Sequence, residues 1–427
     1  MKVRWVVYLC LLSACAGSAR AWPRPGFRGL GFASPTGAAS HAYGISPDGA
    51  VVVGEADGAV AWTDAGGLET LAGSVAWDVS AGGRFVVGQS GSPSERATRW
   101  DLLTGIADLP AAGSAKGISA DGSLVVGSEK GEGGATFAFR WTRQLGTERL
   151  AHRPYSGATG VSADGSVIVG FDGSVGSGEA FRWTRATGMT GLGFLPGRSS
   201  SSTEAVSADG STVVGWSGTR PSCEAFIWTD QTQQMQGLGV LPGQTGSWAL
   251  DVSADGSAVV GGGDGPSGAF IWDPISGMRS LRGLLVGQFG LDLTGWSLGE
   301  AHAVSDDGLT LAGTGRNPEG KAEAWVASLP FAPAAAGDTD LDGDIDHLDY
   351  LALKSNYGRS DASWAEADFD ADRDVDAADY IAARDNAALL PPSGPPPPSA
   401  ALPEPTTLCL LAAAGAAMVA QKRRRPR

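Results

Sequence analysis

Carboxylates are the side chains in this sequence whose spacing can do chemistry. Asp338, Asp340, Asp342, Asp346 and Asp349 fall at positions 1, 3, 5, 9 and 12 of one stretch, with Gly343 at position 6 and Asp344 at position 7. A hard divalent cation such as calcium takes oxygen ligands from those positions, position 7 through its backbone carbonyl, and needs the sharp turn that a glycine makes at position 6. Thirty residues on, Asp368, Asp370, Asp372, Asp374, Asp376 and Asp379 repeat the pattern at positions 1, 3, 5, 7, 9 and 12. Ile345 and Val375 stand at position 8 of the two loops, where an apolar residue can pair one loop with the other. Arg373 replaces the expected glycine of the second loop. It strains the turn and sets a cation against the metal, so two Ca2+ sites are expected, the second weaker.

No other constellation has comparable register. The four histidines, His41, His152, His302 and His347, are scattered, and His41 and His302 sit at related places just before a repeated strand. Neither a phosphate-cradling glycine loop nor zinc spacing occurs. Two facing carboxylates would suit a glycosidase. Glu179, Glu224 and Glu323, however, precede an Ala-Phe or Ala-Trp phrase in three repeats, and such periodicity favours structure. The chain is therefore expected not to be an enzyme.

The elements that must position the acidic loops are repeats. The phrase Gly44-Ile45-Ser46-Pro47-Asp48-Gly49 leads into Val51-Val52-Val53-Gly54. It returns with serines at Ser80, Ser119, Ser162, Ser207, Ser253 and Ser305, spaced 34 to 52 residues apart. Asp-Gly makes a tight turn, because glycine takes positive φ freely and aspartate bonds its own backbone. The valines after it suit a buried strand. A second phrase ends in Trp62, Trp100, Trp141, Trp183, Trp228, Trp272 and Trp325, whose rings are expected to fill the space between neighbouring sheets. Gly82 stands where the second repeat should have its turn aspartate, and a turn tolerates that better than an essential ligand would. Such units must stack in a ring or a solenoid. The Gly-Leu-Gly phrase of residues 191–193 and 237–239 is missing after Trp325 and stands instead at Gly29-Leu30-Gly31. One strand lent by the N-terminal side would lock a ring. The expected fold is therefore all-β, a seven-bladed β-propeller with an open β-solenoid as the alternative, followed by a small α-helical calcium-binding module.

Charge and termini bound the setting. The formal net charge is -15, and residues 338–390 carry 15 acids against 4 bases. This excludes a nucleic-acid partner, which needs a basic surface. Lys2 and Arg4 precede an apolar run from Trp5 to Leu12, so residues 1–21 read as a secretory signal. Cleavage after Ala19-Arg20-Ala21 is favoured over lipidation at Cys15. Cys10, Cys15 and Cys409 lie in terminal apolar stretches, leaving Cys223 without a disulfide partner. Residues 389–402 form a proline-rich spacer. Pro403-Glu404-Pro405 then precedes the apolar stretch Leu408 to Ala420 and the basic cluster Lys422, Arg423, Arg424 and Arg425, a membrane stop with its tail on the cytoplasmic side.

Three resemblances follow from these residues. Residues 22–330 carry units that resemble the HAF repeat of bacterial extracellular proteins, which implies export and no defined chemistry. Residues 338–388 form a duplicated EF-hand loop-helix pattern, with aspartate at position 12, that resembles a type I dockerin. That family binds calcium and docks on cohesin modules, and the resemblance places partner contacts at His347, Leu348, Ala377 and Ala378. Residues 403–427 resemble a PEP-CTERM sorting signal, which implies processing by an exosortase and a cell-surface or extracellular-matrix destination. The expectation is an exported surface protein that binds or scaffolds. Its partners would be a cohesin-like protein or extracellular polysaccharide, an exosortase-type enzyme, and the membrane through the C-terminal helix. The alternative is a dockerin-bearing carbohydrate-active enzyme.

Overall fold

The computed structural model describes residues 25–91, 95–150, 154–173, 178–329, 347–359, 367, 375–377, 380–381 and 383–384. The chain folds as two compact parts, Met1–Ala332 and Pro333–Arg427.

The first part is all-β, built from small antiparallel sheets. Among the described residues the strands pair into five sheets, three of four strands and two of seven and eight, and the two larger ones divide by strand order so that seven four-strand groups result. Group 1 comprises His41–Ile45, Val51–Glu55, Ala59–Thr63 and Gly67–Thr70. Groups 2 to 6 repeat the order over 75–112, 113–149, 156–191, 201–237 and 247–280. The long strand Gly105–Ile118 passes from group 2 to group 3, pairing with Arg96–Asp101 through its first half and Leu124–Lys130 through its second. Group 7 takes Ser297–Val304, Thr310–Arg316 and Ala322–Ser328 from the C-terminal end and Gly26–Gly29 from the other, with Gly26 opposite Ser328 and Gly29 opposite Trp325. Three glutamates confirm that this strand occupies a fourth-strand place. Glu179 accepts from the Gly193 N–H at 3.0 Å, Glu224 from Gly239 at 3.3 Å and Glu323 from Gly31 at 3.0 Å.

The serine phrase explains the turn. Each serine Oγ accepts the N–H of the residue five positions on, at 2.9 Å from Thr212 to Ser207, for example. In six groups it also donates to the turn aspartate, at 2.5 to 2.8 Å. That aspartate accepts from the backbone two residues further, as Asp209 does from Ser211 at 2.9 Å. The aspartates are thus committed to the turn, and group 2 shows how one is spared. Gly82 and Gly83 both take left-handed φ, 67° and 70°, and Ser80 keeps only its bond from Phe85.

A second hydrogen-bond series links the groups. Ala81 donates to the Ala120 carbonyl, Ala120 to Ala163, Ala163 to Ala208, Ala208 to Ala254, Ala254 to Asp306 and Asp306 to Pro47, all between 2.9 and 3.1 Å. The step from residue 47 to group 2 is missing because proline has no N–H to give. The core has the same circular logic. Trp100 of group 2 packs with Val51, Val53 and Ala59 of group 1, Trp141 with Val87 and Ala97 of group 2, and Trp325 with Val260 and Ile271 of group 6. Trp62 of group 1 packs with Ala303, Ala312 and Val326 of group 7, so each ring lies on the group before it, first on last included. The long spacing before Ser305 holds a helical insertion, Leu281–Gly283 and Leu284–Gln288, whose buried Leu281, Leu284 and Leu285 extend the last core.

In the second part, the helix His347–Asn356 buries Leu353 with Ala367 and Val375, and Tyr380 and Ala383 pack alongside. Val375 also exchanges backbone hydrogen bonds with Gly358 and Arg359, at 2.7 and 3.0 Å. Leu351 of the same helix is exposed.

Replacing Ser207 by alanine leaves the buried Thr212 N–H and Asp209 without their partner. We expect Ser207→Ala to lower unfolding free energy by about 1–3 kcal/mol in urea titrations, because an unsatisfied buried donor bears its full desolvation cost. Ser80→Ala removes one bond fewer and should cost less.

Candidate functional site

The glycine that ends each valine phrase decides where side chains go. A Cβ on Gly54, Gly127, Gly215 or Gly313 would run into the backbone carbonyl of His41, Ser114, Ser202 or Glu300 on the adjoining innermost strand. Gly88, Gly170 and Gly261 face Val75, Gly157 and Trp248 in the same way. Opposite each glycine the inner strand carries one extra residue, a β-bulge, and a bulge re-aims its side chain. The seven bulged residues are Tyr43, Trp77, Lys116, Thr159, Glu204, Leu250 and His302.

These residues converge although they come from different groups. Tyr43 lies 4.6 Å from Trp77 and 5.4 Å from His302 between ring centroids. The Lys116 ammonium sits 3.0 Å from the centroid of Trp77. All seven are half-buried. Burial drives Lys116 below its ordinary pKa and Glu204 above, and the opposite charge of each partly offsets this in the other. Burial, with Glu55 nearby, pushes Tyr43 up to about 12. His41 is held below its usual value by burial, against the pull of Glu55.

A second cluster forms beside His302. Glu300 accepts from Trp248 Nε1 at 2.8 Å and from His302 Nε2 at 3.1 Å. Burial would raise its pKa, but the His302 hydrogen bond and charge hold it below the ordinary carboxylate value. The Arg220 guanidinium lies 4.3 Å from the centroids of both Trp216 and Trp248. This arrangement combines donors, acceptors and aromatic edges on a rigid frame, which is what a binding site for a polar ligand requires. His41 and His302, which their spacing placed as repeat positions, instead flank Tyr43 at different registers, with His41 stacked 6.0 Å away. Aligning the repeats on their serines would have exposed the site, since the third residue before each serine differs in all seven.

Two more carboxylates stitch groups together. Asp78 accepts from Val79 at 2.7 Å and from Ile118 of the next group at 2.9 Å. Asp251 accepts from Val252 and from Val304, both at 2.8 Å. Burial, opposed by these N–H groups, pushes Asp78 up to about 6 and Asp251 up to about 7.

Of the acidic-loop residues, Asp349 is buried, 2% exposed, in the first turn of its helix, and Asp376 is exposed. Asp338, Asp340, Asp342, Asp344, Asp346, Asp368, Asp370, Asp372, Asp374 and Asp379 lie outside the described residues, as do Ala378 and the sorting signal at Pro403, Glu404, Pro405, Arg423, Arg424 and Arg425. Ala377 is exposed, and of His347 and Leu348 only the backbone, in the helix, is described. Asp349 is the position-12 residue of the first acidic loop as read from the sequence. Among the described residues no helix is long and apolar enough to cross a membrane.

No protein-family model matches the chain, and no curated protein does. Among solved structures it is similar to an oligogalacturonate lyase in complex with manganese, at 15% identity over 72% of this chain and 97% of that one, with a TM-score of 0.48. It is also similar to the β-propeller domain of the Trilobed protease from Pyrococcus furiosus, at 10% identity over 69% and 98%, TM-score 0.47. U3-55K matches at 13% identity over 71% and 98%, TM-score 0.46. The expectation that this chain is no enzyme is corrected, because an oligogalacturonate lyase is among the solved structures it is similar to. At this distance the likeness transfers no reaction to the present chain.

A raised native pKa means that the folded state holds protons the unfolded chain has released. Between pH 4 and 7 this makes stability fall as pH rises. We expect urea midpoints to show that decline, and Asp251→Asn to flatten it.

Proposed function

We propose that this chain is an exported surface protein whose seven-bladed β-propeller takes a ligand at its axial channel, while a dockerin-like calcium module at residues 338–388 docks the protein or stiffens its stalk. The observation that carries the binding role is the bulge position. The serine, glycine and tryptophan framework recurs in every group, yet this one position holds Tyr43, Trp77, Lys116, Thr159, Glu204, Leu250 and His302. Packing alone would ask for similar residues at equivalent places. Unlike residues turned toward one axis suit recognition of an asymmetric molecule.

The closed circuit of tryptophans, with backbone hydrogen bonds across six of the seven junctions between groups, supports the seven-bladed reading over an open solenoid. The calcium reading is supported by two loops in register and by the buried Asp349. Export and retention rest on the two termini, with an exosortase-type enzyme and the membrane as processing partners. A cohesin-like protein or an extracellular polysaccharide is the proposed surface partner.

Immobilised full-length protein, offered the surface and secreted fraction of the producing cells with calcium and then with chelator, tests this role. A partner released by chelator supports docking. Capture independent of calcium assigns binding to the propeller, and no capture in either condition removes the binding role. In calcium titrations by calorimetry we expect two sites of unequal affinity. Arg373→Gly should tighten the weaker one by about tenfold, because a cation leaves and the turn relaxes. Asp340→Ala should abolish the stronger.

A further inference from the structure

Beside the Glu300 cluster one cation has unused hydrogen-bond donors. Arg220, in the loop between Thr212–Ser217 and Glu224–Thr229, carries five N–H groups. Among the described residues none of them has a hydrogen-bond acceptor, and the nearest carboxylate oxygen, Glu300 Oε1, stands 4.0 Å away. That oxygen already accepts from Trp248, and the other oxygen of Glu300 from His302. The guanidinium is nevertheless held still, 4.3 Å from each of two indoles, with 40% of the side chain exposed. An immobile planar fork with its donor edge unsatisfied has the geometry that carboxylates match with two parallel hydrogen bonds.

We propose that Arg220, clamped between Trp216 and Trp248, is the anchor for a carboxylate of the ligand entering the channel. The inference rests on the reading that the propeller binds its ligand axially, and it names the chemistry of that ligand as acidic. The indoles supply rigidity, so little conformational freedom is lost on binding. Glu300 lies close enough to orient the guanidinium without occupying the donors that a carboxylate would take.

Full-length protein titrated with glucuronate, glucose and acetate, followed by calorimetry and by tryptophan fluorescence, tests the assignment. Glucuronate should bind at least about tenfold more tightly than glucose, and Arg220→Gln should remove that difference. Arg220→Lys should lose most of it too, because an ammonium cannot make the two-point contact. Thermal unfolding of each variant shows whether the fold is kept, and Arg220→Lys keeps a cation between the indoles should Arg220→Gln not fold. Acetate binding as well as glucuronate would support a free small acid as the source, and glucuronate alone an acidic saccharide. Equal binding of glucose and glucuronate, no binding of either acid, or affinities unchanged in both variants overturns the assignment. Captured surface polysaccharide that is retained equally by wild type and Arg220→Gln overturns it while leaving axial binding intact. No capture by the wild type removes both.

Discussion

Circular closure is the constraint on which the first part of the molecule depends. Each four-strand group is too small to bury its own tryptophan and uses the valines and alanines of the group before it. Only when Trp62 of the first group meets Ala312 and Val326 of the last does the series have no exposed end. The strand Gly26–Gly29 completes the last group from the opposite end of the repeats, and Phe27 brings its ring within 6.1 Å of Trp325. Closure therefore joins segments about 300 residues apart, and loop-closure entropy opposes it until the intervening groups are in place.

Closure also creates the axis, and the axis turns a structural irregularity into a site. In a flat sheet a bulge would kink one strand. Repeated seven times around a ring, it delivers one side chain per group to a common channel. The glycine opposite each bulge has a physical reason to recur, since any Cβ there meets a backbone carbonyl that cannot retreat. The bulged residue differs in every group, so the recurring framework does not dictate its chemistry. Framework and site are separated within a single strand of six residues.

The carboxylates of the repeats illustrate how location assigns roles. Turn aspartates such as Asp209 are consumed by serine hydroxyl and backbone donors. Asp78 and Asp251 replace the small residue found in the other five groups and spend both oxygens on backbone N–H groups of two neighbours. Glu179, Glu224 and Glu323 tie the fourth strand. Glu204 and Glu300 differ, since they stand on the channel beside Lys116, Arg220 and His302. Composition alone gives all of these the same weight.

The sequence by itself determined the repeat framework, the structural use of its aspartates and the lending of an N-terminal strand, because these depend on local turn chemistry and on a phrase displaced from one end to the other. Ser46, Asp48 and Gly49 act within six residues of one another, so their spacing is their geometry. The spacing of the two acidic loops is equally local, but most of their carboxylates lie outside the described residues. Tertiary structure alone decided which side chains share the channel. Trp77 meets Lys116, and Arg220 meets Trp248 and Glu300, only because the ring brings successive groups round one axis. The bulge that aims them depends on a glycine of the neighbouring strand, a contact that no local pattern records. Tyr43 and His302 show the limit most plainly: each is the third residue before its serine, yet their rings meet, 5.4 Å apart, only because the first group closes on the last.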